Sequence, residues 1–132
     1  VHDVFIASNH FSRLKDKAIT LNMLVKEPLM LLEKFSNSRK YVDDYAEKQG
    51  IILHPEIELG AHHLLIEFAR IGLGIACVTR EYVEEDLRDS NLFEIALDPP
   101  LPPRAMGLIT LDNVPLSPAA ERFIQIVTQN QS

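Results

Sequence analysis

The sequence FARIGLGIACVT, residues 68–79, joins the end of an apolar-faced helix to a continuous apolar run. Gly72 is the residue type that most often ends a helix in the left-handed conformation. The run from Gly74 to Thr79 has the composition of a strand that is buried on both faces. We therefore expect a helix, a glycine turn and a buried strand. A nucleotide-binding glycine motif is excluded, because that motif follows a strand and opens a helix.

Strand-like and helix-like segments alternate on both sides of this stretch, with a polar loop expected at residues 9–17. This alternation predicts a sheet of parallel strands flanked by helices, an α/β fold. The predicted strands are Val4–Ala7, Leu29–Leu32, Pro55–Leu59, Leu92–Leu97 and Met106–Leu111. The predicted helices are a turn capped by Thr20, a helix from Ser36 or Ser38 to Gly50, one after Gly60, an acidic one from Arg80 to Asp89, and one from Ser117 to Val127.

Composition excludes several classes of protein. The 132 residues are 46% hydrophobic and 24% charged, which is typical of a globular domain and not of a disordered chain. The net charge of −6 disfavours direct binding to duplex DNA, which needs a basic face. No apolar run approaches the roughly 20 residues of a membrane span. A single cysteine, Cys77, excludes an internal disulfide framework and favours a reducing compartment.

Three predicted strand-to-helix junctions are candidate ligand sites: residues 33–38, 60–63 and 79–80. Ligands of open parallel sheets bind beyond the carboxyl ends of the strands, where helix starts offer unpaired N–H groups. At the first junction, Lys34 adds a positive charge and Phe35 an apolar wall. The alternative is purely structural, because a serine at a helix start is most often a cap and Phe35 can pack on the helix. Short polar donors are Ser36, Asn37 and Ser38.

The sequence predicts no metal site, no cofactor and no catalytic centre. His62 and His63 are adjacent, so on a helix their side chains point about 100° apart and cannot chelate one metal as an i, i+4 pair does. One of them can instead line a ligand cleft. Cys77 lies in an apolar run and is expected to be an inert core residue. The spacing also matches no nucleophile elbow or phosphate loop.

Three stretches together resemble the effector-binding domain of LysR-type transcriptional regulators. They are Leu24–Leu32, with its Pro-Leu before an apolar strand, then residues 68–79, and then PLSPAA at 115–120 leading to Phe123. The resemblance implies the fold of type II periplasmic binding proteins, whose two lobes enclose a ligand. Thr79 departs from the pattern, because the family usually has proline there.

The resemblance also implies a division of the chain and a set of partners. Residues 1–103 match the second lobe, and residues 104–132 match a strand and helix that return to the first lobe. Since the sequence starts at Val1 inside a strand-like run, we expect a fragment whose DNA-binding helix-turn-helix domain lies elsewhere in the parent protein. The family implies a small, often anionic, metabolite as effector and a homodimer or homotetramer in the cytoplasm. The helix from Ser36 to Gln49 is a candidate dimer contact, or simply a surface helix.

The effector-facing positions follow from the same resemblance, carried over by junction. The expected ligand-binding residues are Lys34, Phe35, Ser36, Asn37, Ser38, His62, His63 and Thr79.

Alternative functions remain open: a periplasmic solute-binding protein, an enzyme on the same fold such as a dehydratase acting on a cyclic acid, or a module for folding or dimerisation alone. The enzyme would need His62 or Glu33 as an acid or base.

Overall fold

A five-stranded sheet lies at the centre of the structure, a computed structural model that describes residues 1–88 and 91–104. The strand order is β4-β3-β5-β1-β6, and a two-stranded sheet joins β2 to β7. The strands are β1 (Asp3–Ser8), β2 (Ala18–Ile19), β3 (Leu29–Leu32), β4 (Ile57–Leu59), β5 (Ile75–Thr79), β6 (Leu92–Glu94) and β7 (Ala96–Leu97). The α-helices are α1 (Leu21–Leu24), α2 (Asn37–Lys48), α3 (His62–Arg70) and α4 (Glu84–Arg88).

The direction of β1 sets the geometry of the ligand edge. Strands β3, β4 and β5 are parallel, as the alternation predicts, but β1 runs antiparallel to both β5 and β6. The alternation of segments carries no information about the direction of this first strand. As a result, Asp3 at the start of β1 pairs with Thr79 at the end of β5. The backbone N–H of Arg104 also reaches this edge, where it donates to the Val1 carbonyl at 3.0 Å.

Both faces of the sheet are covered, because alternate residues of the apolar strands enter two separate cores. On one face, Phe5 and Leu31 pack with Val42 of α2. On the other face, Ile6 and Met30 pack with residues of α3. This burial accounts for the unbroken apolar runs of β3 and β5, because a strand that is covered on both faces has no solvent-facing positions.

The predicted helix boundaries are largely confirmed. The Thr20 hydroxyl accepts from the Met23 amide at 3.3 Å, and that of Ser36 accepts from the Arg39 amide at 3.1 Å. Ser36 rather than Ser38 therefore caps α2. Gly72 follows α3 with a φ of 84°, the left-handed conformation expected for a helix-ending glycine.

Two segments differ from their predicted structure. Residues 9–17, expected to be a loop, contain a 3-10 helix at Asn9–Leu14 that buries Phe11 and Leu14. The acidic segment after β5 is not one helix but a 3-10 turn, Arg80–Tyr82, followed by α4. Val83 interrupts it with a φ of −124°, and its side chain is fully buried.

The predicted strand 92–97 is two strands with different partners. Strand β6 pairs with β1, whereas β7 pairs with β2. The break falls at Ile95, whose buried side chain joins the core that contains Phe5 and whose amide donates to the Phe5 carbonyl at 2.8 Å. The predicted strand at 106–111 and helix at 117–127 lie outside the described residues.

Candidate functional site

A small cleft, partly open to solvent and with room for about one water molecule, lies at the carboxyl ends of β3 and β5. This is the edge at which the parallel topology predicts ligands to bind. Its walls are formed by strand residues from both faces of the sheet, by the first turns of α2 and by the start of α3. The lining residues are Asp3, Leu31, Leu32, Ser38, Arg39, Val42, His62, Cys77 and Val78.

Arg104 joins the polar groups at this edge. Its Nε donates to Asp3 Oδ2 at 2.8 Å, and its Nη2 donates to Asp3 Oδ1 at 3.2 Å. The same Nη2 also donates to Ser38 Oγ at 2.7 Å and lies 3.3 Å from Thr79 Oγ1. The guanidinium carbon lies 5.6 Å from the centre of the Tyr41 ring, within cation–π range. One side chain therefore connects β1, α2 and β5.

The Asp3–Arg104 pair is largely withdrawn from water. Only 3% of the Asp3 side chain and 10% of the Arg104 side chain are exposed. Burial opposes the charge of Arg104, but hydrogen bonding to Asp3 and attraction to its carboxylate outweigh burial and raise the pKa of Arg104. The pair is thus a fixed, charge-assisted contact and not a surface ion pair.

His62 completes the polar lining. Its Nε2 lies 3.4 Å from Thr79 Oγ1, and its ring packs edge-on against Tyr82 with 5.1 Å between centres. Burial lowers the pKa of His62, and the opposing effects of the Asp3 and Arg104 charges are smaller. The imidazole is therefore neutral at neutral pH, able to donate one hydrogen bond and accept another.

Arg39 lies on the inner wall and supports the end of β3. Its side chain is 3% exposed, and its Nη1 donates to the Leu32 carbonyl at 2.9 Å. Its Nε donates to Asp43 at 3.0 Å, and Nη1 lies 3.5 Å from Glu58. Because two carboxylates lie beside this guanidinium, Arg39 holds the strand end in place and adds no unpaired positive charge to the cleft.

The structure brings together three of the residues predicted from sequence: Ser38, His62 and Thr79. Ser36 has a separate role as the cap of α2. Phe35 is 98% exposed and does not line the cleft. The candidate acid or base Glu33 is exposed at the outer end of its junction. The remaining predicted ligand-binding residues are likewise exposed at the outer ends of the same junctions; they are Lys34, Asn37 and His63.

Three charged residues of the site, Asp3, Arg39 and Arg104, were not predicted. Asp3 could have been found only by knowing that β1 is reversed. Arg104 follows the proline-rich segment 99–103, and no local pattern relates it to Asp3. Arg39 lies on a helix face where arginine is ordinarily solvated, and its 3% exposure is set by the packing of α2 on the sheet.

Within residues 1–88 and 91–104, no helix is long and apolar enough to cross a membrane. The same residues include no group of three or more histidine, cysteine, aspartate or glutamate side chains that could hold a metal ion.

Comparison with known proteins matches residues 2–132 to the LysR substrate binding domain. The sequence is 31% identical over 106 residues to the HTH-type transcriptional regulator YeiE of Escherichia coli K12, covering 80% of the chain and 36% of YeiE. It is 30% identical over 76 residues to the HTH-type transcriptional activator CmpR of Synechocystis, covering 58% of the chain and 25% of CmpR. The chain thus spans about a third or less of these curated relatives.

Solved structures share the fold at low sequence identity. The CcmR regulatory domain of Synechocystis, in complex with 2-PG, matches with a TM-score of 0.69 and 18% identity, over 97% of the chain and 62% of that domain. The effector-binding domain of QuiR, in complex with shikimate, matches with a TM-score of 0.65 and 13% identity, over 98% of the chain and 60% of QuiR's.

Proposed function

We propose, because the chain belongs to the LysR substrate binding domain family, that it senses a small-molecule effector on behalf of a transcriptional regulator. The observation that carries the proposal is that Ser38 and His62 line one cleft, with the buried Thr79 hydroxyl 3.4 Å from His62. These residues come from three separate junctions, and each places a hydrogen-bonding group at the ligand edge of the sheet. Convergent polar groups over an apolar floor are typical of small-molecule sites.

In this proposal, residues 1–103 form the second lobe and residues 104–132 return to the first. An effector that binds one arrangement of the lobes more tightly shifts the population toward it. That shift would re-aim a helix-turn-helix domain of the parent protein on DNA, in the cytoplasm. We further propose a homodimer or homotetramer with α2 as the candidate contact.

Binding without chemical turnover is the second element of the proposal. The relatives bear the names of transcriptional regulators, a class that reads out binding. The alternative, an enzyme acting on a cyclic acid, would use His62 or Glu33 as an acid or base. A turnover assay on candidate cyclic acids decides between them, because activity lost in His62→Ala or Glu33→Ala would establish catalysis.

A thermal-shift screen of the 132-residue chain against small organic acids, amino acids and sugars tests the sensing role. Any ligand that binds the native state raises the melting temperature by mass action. We expect the shift to fall in Ser38→Ala, which removes a hydroxyl group from the cleft wall, and in Thr79→Val, which removes the hydroxyl group that lies 3.4 Å from His62. Ser12→Ala is the matched control, since it removes an exposed hydroxyl from the 3-10 helix.

We expect four outer residues to contact an effector only through a group that protrudes from the cleft; they are Lys34, Phe35, Asn37 and His63. Alanine variants at these positions should therefore weaken binding less than Ser38→Ala does. A ligand whose shift survives both Ser38→Ala and Thr79→Val binds elsewhere and counts against the proposed site. Absence of any responding compound would leave a folding or dimerisation module as the better account.

A further inference from the structure

Around the cleft, among the described residues, three carboxylates face two guanidiniums. Asp3 receives two hydrogen bonds from Arg104, one on each carboxylate oxygen. Arg39, the other cation of the wall, is paired with Asp43 and lies near Glu58. Each guanidinium of the cleft therefore has its counter-ion within the protein.

The remaining polar groups of the wall bind through hydrogen bonds without carrying charge. Ser38 Oγ accepts from Arg104 Nη2 at 2.7 Å, which leaves its hydroxyl hydrogen available to a partner, whereas Thr79 Oγ1 lies between Arg104 Nη2, 3.3 Å away, and His62 Nε2, 3.4 Å away. The His62 imidazole adds a third neutral group. A hydroxyl or carbonyl of a ligand can satisfy all three types of group.

The floor beneath these groups is apolar. Leu31, Val42 and Val78 line it, together with the buried thiol of Cys77. Burial raises the pKa of Cys77 well above its ordinary value, so this thiol is protonated and adds no charge. Such a surface favours a hydrocarbon body and disfavours a hydrated ionic group.

A carboxylate or phosphate that reached Arg104 would come within about 5 Å of the Asp3 carboxylate. At that distance, in a partly buried site, like-charge repulsion weakens binding by about tenfold or more. Resting on the function proposed above, we propose that the part of the effector held by this wall is uncharged, an apolar body bearing hydroxyl or carbonyl groups, and that Asp3 sets this specificity by occupying Arg104. An anionic group on the same effector must then be bound by residues outside this wall.

Inorganic phosphate is the probe that tests this assignment in the 132-residue chain. We expect Asp3→Asn, which is isosteric but uncharged, to bind phosphate about tenfold or more tightly than the wild type at constant ionic strength. Calorimetry gives the affinities, and the NMR signal of the Arg104 side-chain Nε–H locates the binding. Adding Arg104→Gln to Asp3→Asn should abolish the gain.

The control is Asp44→Asn, which makes the same change in net charge at an exposed position of α2. A gain in Asp44→Asn equal to that in Asp3→Asn would reduce the effect to overall charge and overturn the assignment. The assignment is also overturned if the wild-type chain binds phosphate through Arg104. It is overturned as well if Asp3→Asn folds and shows no gain in affinity for phosphate. If Asp3→Asn does not fold, Asp3→Ser takes its place. If neither folds, the wild-type Arg104 signal decides, because a phosphate-dependent shift contradicts the proposal and its absence supports it.

This experiment and the effector screen fail independently. A phosphate result that counts against Asp3 leaves the sensing role intact, because a screen hit would still depend on Ser38 and Thr79. Conversely, a screen with no hit removes the sensing role, whereas the phosphate measurement still reports the charge balance of the cleft.

Discussion

Arg104 Nε lies 2.8 Å from Asp3 Oδ2, although 101 residues separate the two in sequence. Their pairing depends on the reversed direction of β1, which brings Asp3 to the carboxyl end of β5. The segment 99–104 must then return to the same edge. The contact therefore holds the two ends of the described region against the cleft, and its loss has consequences for stability.

Arg104→Gln should lower the free energy of unfolding by about 3 kcal/mol, because it leaves a buried carboxylate without a counter-ion. Urea denaturation followed by circular dichroism measures the change. The double variant Asp3→Asn with Arg104→Gln should lose less than the sum of the two single variants, since the two residues act as a unit. Strict additivity of the two losses would show that the residues do not interact.

Stability should rise with pH as His62 loses its proton. Burial lowers the pKa of His62 in the folded chain below its ordinary value of 6.5. Between the lowered pKa and about 6.5, the unfolded chain binds more protons than the folded chain, so acidification favours unfolding and the effect vanishes above that window. His62→Gln should flatten the dependence of unfolding free energy on pH in this window. An unchanged slope would contradict the predicted pKa direction.

Gly72→Ala should destabilise the chain more than Gly50→Ala does. Both glycines have positive φ, 84° and 74°, so each substitution carries the left-handed cost of about 1 kcal/mol. At Gly72 the added Cβ would also lie 2.4 Å from His10 Nδ1, whereas nothing lies within 4 Å at Gly50. Thermal denaturation compares the variants. Combining Gly72→Ala with His10→Ala should recover the difference, and equal losses at the two glycines would rule out the steric effect.

Ser36→Ala and Ser38→Ala should separate the capping role from the cleft role. Loss of the cap at Ser36 should lower the free energy of unfolding by about 1 kcal/mol. It should also speed hydrogen exchange at the Arg39 amide, which donates to the Ser36 hydroxyl oxygen. Ser38→Ala removes an acceptor of Arg104 instead and should leave exchange at that amide unchanged. Exchange that accelerates equally in both variants would indicate general fraying of α2.

The local signals in the sequence predict the elements well where burial and capping act over short distances. The unbroken apolar runs of β3 and β5, the Thr20 cap and the left-handed Gly72 all follow from residue type and spacing. The exceptions are segments where one buried side chain overrides the local pattern. Val83 divides the acidic helix, and Ile95 divides the predicted strand 92–97, because each enters a core that the local sequence does not reveal.

The candidate site is predictable only in part. Ser38, His62 and Thr79 follow from the rule that ligands bind beyond the carboxyl ends of parallel strands. Asp3 and Arg104 do not, because their proximity depends on strand direction and on a return path of about a hundred residues. The sequence therefore locates the neutral hydrogen-bonding groups of the cleft but misses the charges that balance it.

The backbone hydrogen bond between Arg104 and Val1 brings these two residues side by side at one edge of the sheet. A region of this kind can be grafted into a surface loop of another protein without a linker to span its width. Such a graft would place the cleft directly beside both attachment points.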